Sequence, residues 1–210
     1  MKSFIAAFFM LFAVTVCAEP QSGFEYQSTQ QAIPTDNPAK IEVVELFWYG
    51  CPHCYALEPQ LAAWVKKLPK DVEFKRIPGI ARPDWAAGAK AYYAMEALGL
   101  TEKLHGAFFD AIHKQRAVNP MDEAAMIDWV TKQSGLDKKK VEEAFKSFSV
   151  NTKLMRAMQV FRASGATGVP TLIVEGKAWT SSTIAGGNEE MLKVTDYLIE
   201  KARAEKSAKR

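Results

Sequence analysis

Two cysteines separated by two residues, Cys51-Pro52-His53-Cys54, constrain this chain more than any other feature. An apolar run (Ile41, Val43, Val44, Leu46, Phe47, Trp48) leads into them and helical spacing follows, so Cys51 falls at a strand-to-helix junction. At a helix N-terminus the free backbone N–H groups and the helix dipole favour negative charge, and His53 can add a positive one, which stabilises thiolate over thiol. Pro52 suits the first helical turn, where no N–H is needed. The pair is close enough to form a disulfide within one turn, which reads as a reversible dithiol/disulfide and not a structural staple. Half of a zinc site is the competing reading. Structural zinc takes four ligands, and besides this pair the chain offers no second cysteine pair and only His53, His105 and His113.

Residues 1–18 carry Lys2, an apolar stretch from Phe4 to Val14, and Val16-Cys17-Ala18 before Glu19, the pattern of a cleaved secretory signal. The stretch is short for a membrane span, which needs roughly 18 or more apolar residues. Bulky Val16 also argues against a lipid anchor on Cys17. Removing the signal lowers the cysteine count from three to two, leaving one close pair in an exported protein. That combination predicts a redox centre in an oxidising compartment, the periplasm of a Gram-negative bacterium. The 210 residues, 48% of them hydrophobic, suffice for one large domain or a domain with an insert. A formal charge of +3 with no basic run interleaved with aromatics argues against nucleic acid.

Along the chain, Glu19 to Lys40 is polar and proline-punctuated, an extended arm able to add an edge strand. Ile41 to Trp48 is apolar enough to be a central strand covered on both faces. A helix is expected from Cys51 to Lys67, with Pro59 inside it, and a second strand over Val72 to Ile77. From Gly79 to Ser149 four successive stretches have helical spacing, with Asp84, Thr101, Asn119-Pro120 and Asp137 as their starts and Phe148 among the packing residues of the last. A helix from Asn151, a hairpin turning at Glu175-Gly176, and a last helix capped by Asn188 complete the order, with the Lys/Arg-rich end from Lys201 expected to fray. His105 and His113 read as ordinary helix residues. Glu45 stands out as an acid in an apolar strand, to be paired, wetted or partly protonated, with Lys75 or Arg76 as partners for it or for Glu58.

The run F-W-Y-G-C-P-H-C-Y with Glu58-Pro59, together with Gly168-Val169-Pro170-Thr171, resembles the DsbA family of periplasmic thiol:disulfide oxidoreductases over nearly all of the mature chain. The resemblance implies an α/β, thioredoxin-like fold with an inserted all-helical domain: residues 19–78 and 150–205 form the thioredoxin-like part and 79–149 the insert. It implies Cys51 as nucleophile, Cys54 as its disulfide partner, and Pro52 and His53 as the residues between them. Glu45 matches a buried acid that handles the proton of the second cysteine, and Glu58 an auxiliary acid, although a solvated helix glutamate reads almost as well. It further implies a cis Val169-Pro170 peptide beside Cys51, the Val169 backbone bonding an extended substrate chain. The expected activity is donation of the Cys51-Cys54 disulfide to reduced exported polypeptides, with no cofactor besides that disulfide. The expected partner is a DsbB-like quinone-coupled inner-membrane oxidase. An isomerase, a rival in the same chemistry, would bring a dimerisation domain, for which 19–40 is too short; a monomer is expected. A reductase, or a peptide-binding chaperone with incidental thiols, is the alternative.

Overall fold

The computed structural model describes residues 19–208; the expected secretory signal lies outside them. The chain runs β1 (Gln27–Ser28), β2 (Ile41–Phe47), α1 (Pro52–Val65), β3 (Val72–Pro78), a 3₁₀ turn (Pro83–Trp85), α2 (Ala86–Ala97), α3 (Thr101–His113), α4 (Glu123–Ser134) and α5 (Lys138–Lys146). It continues through α6 (Phe148–Ser164), β4 (Thr171–Val174), β5 (Ala178–Ser181), α7 (Ser182–Ala185) and α8 (Asn188–Ala208).

The five strands form one mixed sheet in the order β1-β5-β4-β2-β3, with β2 parallel to β3 and antiparallel to β4. All seven residues of β2 are buried, as its continuous apolar run demands. Alternation along β2 divides the core. Val43 packs with Leu57 and Leu61 of α1 and with Met191, Val194 and Leu198 of α8, while Val44 and Leu46 pack with Val160 of α6. Complete burial of Leu57 and Leu61 stabilises the α1 docking by about 1.5–3 kcal/mol each. Phe47, at the end of β2, belongs to a third cluster that continues through Tyr49, Cys51 and Cys54 into α2, α3, α4 and α5. The helical segment and the cysteine pair thus share one core.

Several local boundaries depart from sequence expectation. Thr101 is the first residue of α3 and gives no capping bond, and α4 is capped by Asp122, whose side chain accepts from the Ala125 amide. Asp137 caps α5 as its residue type predicts. Ser147, not Asn151, caps α6 by accepting from Val150, which moves Phe148 out of α5 to the α6 start, where it is 86% exposed. The end of α8 does not fray. Arg203 pairs with Asp71, and Lys206 Nζ reaches the Lys40 carbonyl at 2.5 Å and Glu175 Oε2 at 2.9 Å, pinning the helix to the arm and the hairpin. That hairpin turns with Glu175 and Gly176 both at positive φ, and a Cβ at Gly176 would overlap the Ile33 carbonyl.

Candidate active site

Between β2 and α1 the chain makes a tight turn, Trp48-Tyr49-Gly50-Cys51, closed by the Cys51 amide donating to the Trp48 carbonyl at 2.9 Å. Gly50 is required there because the indole of Trp48 occupies the space a Cβ would need. Cys51 is the N-cap residue of α1, Pro52 its first residue, and neither a capping side chain nor a first-turn acid claims the free amides of that helix end. They are left for the Cys51 sulfur.

The two thiols, both free in this structure, occupy opposite environments. The Cys51 thiol is lowered to about 6, chiefly by a hydrogen bond from the Cys54 thiol working against burial, then by the backbone N–H groups of Cys54 and His53 and last by the His53 charge. Cys54 is completely buried, and burial pushes its thiol well above the ordinary range. His53 is exposed and lines a cleft of about 260 Å³ with Thr167, Val169, Pro170 and Thr171. Val169-Pro170 is a cis peptide, and the Val169 carbonyl accepts from Cys51 Sγ at 3.4 Å.

Beneath the pair, Glu45 is 1% exposed and stands opposite Arg76 in the β2–β3 register. Arg76 Nε donates to Glu45 Oε2 at 3.0 Å and its Nη2 to Glu58 Oε1 at 2.8 Å. One guanidinium cannot neutralise two carboxylates, and the environments decide which acid keeps its charge. Burial, opposed by the Arg76 charge, pushes Glu45 up to about 8, a value to which the Glu58 charge and the Cys51 thiolate contribute. Burial also acts on Glu58, but His105 and Arg76 outweigh it and hold that carboxyl below its ordinary value. Lys75 points to the other face and pairs with Asp36, Glu42 and Glu73, so it is not a partner of either acid.

Both α3 histidines reach this site, contrary to their reading as ordinary helix residues. His105 is buried, with Nδ1 2.8 Å from the Tyr49 hydroxyl and Nε2 3.5 Å from Glu58 Oε2, and His113 Nε2 donates to the Tyr49 carbonyl at 2.7 Å. A signal was present: His105, Phe109 and His113 recur every four residues, one step round the helix from the stripe Leu104, Phe108 and Ile112. Among the described residues no cluster of three or more His, Cys, Asp or Glu has the arrangement to hold a metal ion, and no helix is long and apolar enough to cross a membrane.

A family model described as a DSBA-like thioredoxin domain matches residues 70–198. The thiol:disulfide interchange protein DsbA of Pseudomonas aeruginosa is 42% identical over 183 residues, covering 87% of this chain and 86% of that protein. The chain belongs to the DsbA family. DsbA of Burkholderia cepacia is 38% identical over 192 residues, 90% of this chain and 89% of that protein. The crystal structure of Pseudomonas aeruginosa DsbA superposes with a TM-score of 0.82 at 41% identity, covering 91% of this chain and 97% of the other. The DsbA oxidoreductase from Xylella fastidiosa gives 0.83 at 29% identity, over 89% of this chain and all of the other. The fold is therefore the mixed α/β, thioredoxin-like one of the DsbA family, and the activity that of a thiol:disulfide oxidoreductase.

Proposed function

We propose that this DsbA-family protein is a disulfide donor of the Gram-negative periplasm, delivered by cleavage of the signal in residues 1–18 and acting as a monomer on reduced, newly exported polypeptides. The observation that carries this reading is the asymmetry of the pair: Cys51 lowered to about 6 at the start of α1, Cys54 completely buried and raised. A substrate thiolate attacks Cys51 Sγ of the oxidised protein, the Cys51–Cys54 bond breaks, and Cys54 leaves as a thiolate that burial forces to take a proton. Glu45, neutral up to about pH 8, is the acid that supplies it, and Arg76 with Glu58 holds that carboxyl in place. A second substrate thiolate then attacks the substrate sulfur of the mixed disulfide. Cys51 departs as a stabilised thiolate, the substrate is oxidised by two electrons and this protein is reduced by two.

In this reading the Val169 backbone and Pro170 form the seat for an extended substrate segment, and His53 and Pro52 shape the approach to Cys51. Residues 19–78 and 150–205 act as the thioredoxin-like part, and 79–149 as the helical insert that roofs the cysteine pair. A DsbB-like quinone-coupled inner-membrane oxidase takes the electrons back from Cys51 and Cys54, so the redox cycle needs no cofactor bound to this chain. The test is oxidation of a reduced dithiol peptide by the oxidised protein. Wild type is expected to oxidise it stoichiometrically and Cys51→Ser not at all; equal activity of the two overturns the reading.

A further inference from the structure

The turn that presents Cys51 is held from outside its own strand and helix. β2 ends at Phe47, so the carbonyl of Tyr49 has no strand partner, yet Tyr49 is 1% exposed. A buried backbone carbonyl needs a donor, and His113 Nε2 supplies it at 2.7 Å; a carbonyl only accepts, so that nitrogen carries the proton. At the other end of the same residue, the hydroxyl is hydrogen-bonded to His105 Nδ1 at 2.8 Å, burial keeping the phenol protonated. His113 is oriented in turn by stacking on Tyr55, with ring centroids 4.9 Å apart and planes 12° from parallel, and the Tyr55 hydroxyl is fixed by donating to Asp110 at 2.7 Å.

From this geometry we propose that His113, seconded by His105, is a positioning residue for disulfide exchange, clasping Tyr49 at carbonyl and hydroxyl so that the Trp48–Cys51 turn aims the Cys51 sulfur at the first amides of α1. Tyr49 lies one residue from Gly50, which has no side chain to brace the turn. The thiolate is stabilised by the Cys54 thiol first and by the N–H groups of Cys54 and His53 after it, and hydrogen bonds of these kinds weaken steeply as their angles close. The amides sit on a rigid helix and the sulfur on a turn. The Cys51 carbonyl accepts from the Tyr55 amide at 3.1 Å, which ties the residue to α1, and the anchor from α3 fixes the turn on its other side.

The inference rests on Cys51 being the redox nucleophile, and the experiment separates the two ideas. In the full reduced chain, thiolate absorbance is titrated and the equilibrium constant with glutathione measured for wild type, His113→Leu and His113→Gln, with thermal unfolding alongside. His113→Leu is expected to raise the Cys51 pKa and make the disulfide on the order of tenfold less oxidising, one pKa unit corresponding to a factor of ten. His113→Gln, whose amide N–H can reach the same carbonyl, is expected to restore most of both values. If Leu lowers only thermal stability, leaving the titration and the glutathione equilibrium within about twofold of wild type, or if Gln rescues neither, His113 is a packing residue and the proposal fails. Should His113→Leu not fold, His113→Asn, one methylene too short to reach the carbonyl, takes its place with the same expectations. An ordinary cysteine titration in wild type itself would instead sink the underlying assignment of Cys51.

Discussion

Cys51 Sγ lies 3.4 Å from the carbonyl oxygen of Val169, so the sulfur proposed to be attacked and the backbone proposed to hold the substrate occupy one seat. The two come from parts of the chain 118 residues apart, and the fold brings them together by placing β4 beside β2. A substrate segment lying along Val169 would bring its own cysteine to Cys51 and not to Cys54, which is completely buried behind it.

Division of labour between the cysteines follows from that placement. Cys54→Ala is expected to accumulate mixed disulfides with reduced substrate proteins, and Cys51→Ala to form none, as read on non-reducing gels. Equal trapping by both variants would overturn the assignment.

The causes of the lowered Cys51 thiol predict an order among variants. The hydrogen bond from Cys54 is the largest lowering contribution and the charge of His53 the smallest of those named. Cys54→Ala is therefore expected to raise the Cys51 pKa more than His53→Ser does, in titrations of thiolate absorbance. A larger effect from His53→Ser would make the charge, and not the sulfur and amide donors, the source of the shift.

Glu45 predicts a pH dependence of stability. Its folded value, about 8, lies above its ordinary 4.5, so between those values the folded protein holds a proton that the unfolded chain has released, and stability falls as pH rises through the window. In the oxidised protein the Cys51 thiolate no longer helps to raise Glu45, so the window closes at a lower pH, and Glu45→Gln is still expected to flatten the decline within it. Denaturant unfolding from pH 5 to 9 measures it, and an unchanged slope in the variant would show that Glu45 is ionised throughout.

Lys206 predicts a smaller, local effect. It joins α8 to Glu175, a buried acid, and to the carbonyls of Pro38 and Lys40. Lys206→Ala is expected to cost about 1 to 2 kcal/mol, more than the 0 to 1 kcal/mol of a surface pair, because it leaves a buried carboxylate without its cation. A loss below 0.5 kcal/mol in chemical denaturation would place Glu175 effectively in solvent.

How much of this was legible in the sequence depends on how local each signal is. The strand expected over Ile41 to Trp48 and found over Ile41–Phe47, the helix expected from Cys51 to Lys67 and found over Pro52–Val65, and the turn at Glu175-Gly176 rest on contiguous apolar residues, a proline and turn chemistry, all within a few residues. The start of α6 is hard to read from sequence because Ser147 caps it without a glycine or proline to mark the break, so Phe148 reads as a packing residue although it is solvent-exposed. The end of α8 reads as a fraying chain end because the partners that hold it are distant in sequence: beside Glu200 on the same helix, Arg203 pairs with Asp71, and Lys206 with Glu175 and the carbonyls of the arm, which only the fold supplies. The Glu45–Arg76 pair was within reach once β2 and β3 were aligned, since registered residues share a face. The His105 and His113 contacts were not, because they are made to a turn more than 50 residues earlier.

The reduced protein gains a thiolate that the oxidised one lacks. A thiol whose folded value is depressed to about 6 gives stability that is fully present above its unfolded value, near 8.5, and lost as pH falls through about 6. Only the dithiol form has this gain, so the disulfide is the less stable partner at neutral pH and is readily given up. Measuring the reduction potential against glutathione at pH 7, together with the unfolding free energies of both redox forms, tests this directly. A couple more oxidising than glutathione and a reduced protein more stable than the oxidised one are expected; a couple more reducing than glutathione, with the oxidised form the more stable, would contradict the role given to Cys51.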